Sequence, residues 1–230
     1  MESSGIPGEI NISETTWDFV NEFFVGKYRG RMPVKYKGET EMYLIQGIIP
    51  ELSVNGEGEV PNELFKVRLQ HIRFTDMQEA ILNRLENELP SELSYHNFKH
   101  TIDVVTQAEL IGRGEGINEE EILLVKAAAL FHDTGFLIGY ENHEESSAEL
   151  AREILQRYDF HEDQIEEIAS LIYVTREDAR PRNHLEAILK DADLDYLGRS
   201  DFIPVSQSLY HEMQKFNGKM SPREWTKKQI

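Results

Sequence analysis

The 230-residue chain contains no cysteine, which excludes disulfides and thiolate metal sites and fits a reducing compartment. It also lacks any stretch approaching the ~20 consecutive apolar residues of a membrane span. Its first residues, MESSGIPGEINIS, carry no signal-peptide pattern. We therefore expect a cytoplasmic protein with no membrane partner. Basic residues are scarce: 24 Lys and Arg stand against 42 Asp and Glu, a formal charge of -18. A field of that sign repels polyphosphate backbones, so nucleic acid is not an expected partner. A small phosphorylated ligand remains compatible where a bound cation offsets the local charge. Most of the acid, such as NEEE at 118–121, reads as solvated helix surface.

What is present divides unevenly. The first 50 residues are mixed. SETTWDFVNEFF reads as a short helix with Ser13 as its N-cap. YRGRMPVKYKG and EMYLIQGII are β-rich, and Gly38 between them can adopt the positive φ of a tight turn, so a hairpin is expected. Residues 51–75 read as a linker, on the Gly, Pro and Asn of PELSVNGEGEVPN. From residue 76 to the end the apolar spacing is helical throughout, closing with SPREWTKKQI, a helix that is just beginning. The expected fold class is mainly α: a helical bundle with a small N-terminal helix plus β-hairpin.

One stretch interrupts this pattern. In KAAALFHDTGF, His132 and Asp133 sit together at the end of an apolar run. Neighbours in a regular helix point about 100° apart, so both can face one point only where the helix breaks; Gly135 offers that break. An aspartate at a helix C-terminus is disfavoured by the dipole, and burying it unpaired costs several kcal/mol. A divalent cation beside it would remove that cost. YHNFKH supplies His96 and His100, and KDADLDYLG supplies Asp191, Asp193 and Asp195. The order His, His-Asp, Asp on three separate helices can gather four nitrogen and oxygen ligands inside a bundle.

YHNFKH…FHDTGF…DADLDYLG resembles the HD superfamily of metal-dependent phosphohydrolases over roughly residues 76–217, and YHNxxH is similar to the opening motif of cyclic-nucleotide phosphodiesterases. By position, the resemblance implies His100, His132, Asp133 and Asp193 as metal ligands, with Asp191 competing for the last place. It implies Asp133 as a catalytic residue that orients water, with Asp193 as the alternative for that role. His96 falls where the phosphodiesterases carry the proton donor; its alternative is a helix-start residue satisfied by backbone. His143 and Glu144 resemble the segment that binds a second metal or substrate. Two departures argue against a full two-metal site: Ile172 and Tyr173 stand where the later histidine pair belongs, and Phe136 replaces a lysine found in some relatives. The implied cofactor is a divalent ion (Mn, Fe, Zn, Ni, Co or Mg), and the implied partner is a small phosphorylated substrate, a nucleotide by preference.

His71, His161, His184 and His211 have no partners at metal spacing and read as surface or capping residues. Arg176, Arg180 and Arg182 form either a phosphate-meeting loop or a solvated turn. Residues 5–47 resemble the C-terminal segment of class III adenylate and guanylate cyclases, without the residues that bind catalytic metals there, so no cyclase activity is expected. That segment is either the tail of a longer cyclase-HD polypeptide, with Met1 internal, or a remnant that packs on the helices or on a second copy as a homodimer. Two rivals to a hydrolase stand: a regulatory module sensing a nucleotide or metal for an attached cyclase, and a helical dimerisation domain whose His-Asp pair is structural.

Overall fold

The structure, a computed structural model, describes residues 6–34, 38–216, 218 and 220–229. Met1, Gly5 and Lys35 to Lys37 of the cyclase-like run lie outside the described residues. The chain divides into two compact units, Met1–Leu69 and Gln70–Ile230.

In the first unit, strand β1 (Ile10–Ser13) leads directly into helix α1 (Glu14–Val20). Ser13 caps that helix, its Oγ accepting from the Thr16 N–H. Strands β2 (Phe24–Val34) and β3 (Gly38–Ile48) form the expected antiparallel hairpin, with Gly38 at φ 74°. The sheet is larger than a hairpin, because β1 pairs with the other side of β3 to give the order β1-β3-β2. The helix is shorter than SETTWDFVNEFF suggests, since Phe24 already belongs to β2. Trp17 stacks on Tyr43 and lies over Gly26, where an added Cβ would meet the indole at 2.3 Å. Phe23, Ile48 and Leu52 form this unit's small core.

The expected linker over 51–75 needs correction. Its punctuation ends at Pro61, and Asn62 Oδ1 accepts from the Phe65 N–H, starting helix α2 (Glu63–Glu88). Residues 63–75 are therefore helix. The division between the two units falls inside α2.

The second unit is helical. Helix α3 (Phe98–Glu115) is capped by Asn97 and closed by Gly116 in the left-handed region, φ 73°. Helix α4 (Glu119–Phe131) starts from a capping box of Asn118 and Glu121 and is buried almost all round from Ile122 to Phe131. A helix apolar on every face belongs at the centre of a bundle. Around it pack α3, α5 (His143–Leu155), α6 (Glu162–Ile172) and α7 (His184–Asp193). The contact of α3 with α4 is close: a Cβ at Gly112 would meet Ile122 Cδ1 at 2.7 Å. Phe74, Met77, Ile81 and Leu85 of α2 join the same core at helical spacing. Each fully buried side chain of that size contributes roughly 1.5–3 kcal/mol. Helices α8 (Phe202–Phe216) and α9 (Pro222–Lys228) complete the unit, the latter a formed helix with Ser221 and Glu224 as its capping box. Among the described residues no helix is long and apolar enough to cross a membrane.

Candidate metal centre

Helix α4 ends at Phe131, and the change from α-helix to a 3-10 turn over Thr134–Leu137 turns His132 and Asp133 toward one point. Gly135 serves this in a way the sequence did not reveal. It has no positive φ; its missing side chain instead admits the start of α5, since a Cβ there would lie 1.9 Å from the His143 carbonyl oxygen. Its N–H donates to Ser147 Oγ at 2.8 Å, and that hydroxyl donates to the His132 carbonyl at 2.7 Å. The His-Asp turn is thus clamped to α5 by a glycine and a buried serine.

His132 Nδ1 donates to the Ala129 carbonyl at 2.7 Å, which leaves Nε2 as the lone-pair nitrogen pointing away from its own helix. His132 Nε2 lies 3.3 Å from His100 Nε2 and 3.6 Å from Asp193 Oδ1. His100 Nε2 is 3.2 Å from Asp193 Oδ1 and 3.6 Å from Asp133 Oδ2. One donor atom from each of His100, His132 and Asp193 falls within 4.8 Å of the others, a spacing that could hold a metal ion. Asp133 Oδ2 is sealed from water, 3.1 Å from His132 Nε2 in an ion pair and without a well-formed hydrogen bond. Its charge is offset by the neighbouring imidazoles, and a bound cation would meet it directly. Two imidazole nitrogens and two carboxylate oxygens facing one another fit a divalent ion of the borderline class.

The charges respond to this crowding. Burial alone would lower the His132 pKa, but the carboxylates of Asp133 and Asp193 outweigh it and raise it to about 9. Burial alone would raise the Asp133 pKa, yet His132, His96 and His100 hold it far below the usual carboxylate range. Asp193 is lowered as well, burial being outweighed by the hydrogen bond from His100 and by the charge of His132.

Asp193, near the end of α7, reaches the cluster, whereas Asp191 is exposed. Asp195 lies beyond α7, partly buried, with Oδ2 unpartnered. His143 and Glu144 open α5 beside the cluster: His143 Nε2 is 3.8 Å from Asp133 Oδ1, and its ring stacks on Phe136 with centroids 3.9 Å apart. His96 precedes α3, its ring 5.9 Å from that of His100. Its Nδ1 is hydrogen-bonded to Glu212 Oε1, while Glu212 Oε2 accepts from the N–H groups of Tyr95 at 2.7 Å and His96 at 3.1 Å. Burial would lower the His96 pKa, but Asp133 and Glu212 together raise it.

Glu212 escaped the sequence reading, being 116 residues from His96 on α8. A signal exists, because Glu212 occupies the same face as Val205, Leu209 and Phe216, and a charge within an apolar stripe calls for a partner.

The other histidines match their bland reading. His71 Nε2 meets the Glu119 carbonyl at 3.0 Å, His161 is the N-cap of α6, and His184 and His211 are exposed. Arg176 is paired with Glu145 and Arg182 with Glu186, bordering a separate hollow that also includes Arg180. The centre itself opens on a cavity of about 670 Å³ bordered by His96, Asp133, His143 and Asp193, with walls from α8 and α9.

Residues 97–195, the segment that carries His100, His132, Asp133 and Asp193, match the HD domain family. A 76-residue stretch is 42% identical to an uncharacterized protein of Clostridium beijerinckii, covering 31% of this chain and 46% of that protein; the match thus spans under half of the relative's length. The crystal structure of a predicted HD superfamily hydrolase from an uncultured Thermotogales bacterium is similar over 70% of this chain and 80% of that one, with 21% identity and a TM-score of 0.42. The likeness of residues 5–47 to a cyclase tail rests on those residues alone.

Proposed function

We propose that the protein is a metal-dependent phosphohydrolase acting on a phosphate mono- or diester. The observation that carries the reading is Asp133 Oδ2, buried and without a hydrogen-bond partner, facing the donor atoms of His100, His132 and Asp193. These four residues would hold the ion. When bound, a divalent cation supplies Lewis-acid activation of water and neutralises charge on a phosphate oxygen. The chain's own groups do the rest. The Asp133 carboxylate orients the attacking water. Protonated His96, held through Nδ1 by Glu212, gives its Nε2 proton to the departing oxygen. The cavity beside the cluster receives the ester.

The finer assignment, a cyclic nucleotide as substrate, rests on the phosphodiesterase-like YHNxxH and the cyclase-like first segment. The test is elemental analysis of protein purified without chelator, followed by turnover of a generic phosphodiester and a phosphomonoester with each candidate metal. Near-stoichiometric metal with turnover that is lost in Asp133→Ala supports the reading. Absence of metal after incubation with manganese or iron sinks it.

A second reading, a regulatory HD module that binds ligand without turnover, is favoured by one observation. Phe136, where some relatives have lysine, stacks on His143 and fills that side of the centre with an apolar ring. Ligand binding with full metal occupancy and no turnover would select it.

A further inference from the structure

The cavity beside the centre has a charge balance that bears on which phosphate esters it admits. Asp133, Asp193, Glu141, Glu144 and Glu177 face it, against two ammonium groups, Lys190 and Lys228, and no arginine among the described residues. Both lysines are engaged. Lys190 Nζ donates to the carbonyls of Val174, Thr175 and Arg176 at 3.0, 3.3 and 2.5 Å, which uses all three of its protons. Lys228 Nζ lies 2.6 Å from Glu177 Oε1. A divalent ion held by Asp133 and Asp193 balances their two charges, Glu177 and Lys228 cancel as a pair, His96 is balanced by Glu212, and Glu141 and Glu144 stand against Lys190. One phosphate can lie against such a centre. A second and a third would extend toward Glu141 and Glu144, with both ammonium groups already engaged.

Much of the remaining wall is apolar. Leu194 and Leu197 follow α7, Leu209 and Met213 come from α8, and Trp225 from α9. The Trp225 indole N–H already donates to Ser206 Oγ at 3.0 Å, so what its ring can offer the cavity is apolar surface. A cavity of about 670 Å³ with such a wall suits an organic group carried on the phosphate.

The geometry points to selection for a phosphoester bearing a single phosphate on an apolar, aryl or nucleobase-sized group, with rejection of the di- and triphosphates of that group. This rests on the phosphohydrolase reading for the nature of the ligand. Glu177 contributes to the rejection by holding Lys228, whose charge it cancels.

The test is equilibrium dialysis of the full chain loaded with manganese against AMP, ADP, ATP and p-nitrophenyl phosphate, with free manganese held constant. AMP should bind about tenfold tighter than ATP, the scale of one unfavourable charge contact. Glu177→Gln, which releases Lys228, should narrow that gap severalfold by improving ATP. ATP binding as tightly as AMP, an AMP-to-ATP ratio unmoved by Glu177→Gln, or no binding of AMP or p-nitrophenyl phosphate would each overturn the proposal. Turnover measured in parallel separates the two readings. The expected binding order without hydrolysis leaves the selectivity standing and sinks the hydrolase, whereas hydrolysis that favours ATP does the reverse.

Discussion

The Glu212 carboxylate receives the ring of His96 on one oxygen and two backbone N–H groups, those of Tyr95 and His96, on the other. Its side chain is fully buried. A single residue of α8 therefore holds both the backbone and the imidazole of the segment that enters α3.

Glu212→Gln keeps the shape and one acceptor oxygen but removes the charge that favours protonated His96. Phosphoester turnover should fall about 10–100-fold, the scale of general acid catalysis, with metal content unchanged. Glu212→Ala should in addition destabilise the fold by about 1–3 kcal/mol, because buried donors lose their acceptor. Steady-state kinetics and metal analysis on both variants check this. Unchanged kcat in Glu212→Gln removes His96 from the chemistry.

In metal-free protein His132 is raised from the ~6.5 of an unfolded chain to about 9 by its carboxylate neighbours. A raised pKa contributes stability that is complete below about pH 6.5 and disappears as pH climbs through about 9. Chelated protein should therefore lose Tm steadily across that window. Metal-loaded protein should be flatter there and, at 100-fold ligand excess over Kd, about 2.7 kcal/mol more stable. Thermal melts of both forms from pH 6 to 10 provide the comparison; parallel curves count against the centre.

Gly135→Ala places a methyl group 1.9 Å from the His143 carbonyl, a backbone atom with no room to move. The substitution should cost about 3 kcal/mol or more and abolish metal retention even where the helices persist. Circular dichroism paired with metal analysis reads both effects at once.

Two glycines of α3 should respond with opposite sign. Gly114 is exposed and a Cβ there meets nothing within 4 Å, so Gly114→Ala should stabilise by about 0.5–1 kcal/mol. Gly112 is buried, and a Cβ would meet Ile122 Cδ1 at 2.7 Å and Ile117 Cδ1 at 3.0 Å, so Gly112→Ala should destabilise. Urea midpoints of the pair decide it.

How much of this was legible beforehand varies by the range of the interaction concerned. The cap at Ser13, the Asn118–Glu121 box and the turn at Gly38 each depend on a few neighbouring residues, and the structure has all three. Strand β1 is not legible in the sequence, because the four residues INIS carry no pattern of their own and become a strand only against β3. The turn residues of the linker end at Pro61, and helix formation from Glu63 follows from the Asn62 cap and the apolar spacing that continues into α2.

The sequence by itself determined that a helical bundle would carry a polar His-Asp pair at the end of its most apolar helix, since hydrophobic spacing and the anomaly of charge in a core are local facts. It also brought His100, His132, Asp133 and a choice between two aspartates into one hypothesis. The sequence implied Asp193 ahead of Asp191, and the structure brings Asp193 into the cluster; tertiary structure alone decided the rest: Glu212 behind His96, Gly135 as a point of close approach, and Trp225 with Lys228 in the cavity wall. The physical reason is the same in each case. Helical periodicity specifies which face a residue occupies, but which two faces meet depends on packing between segments as distant in sequence as His96 and Glu212, and no local pattern encodes that.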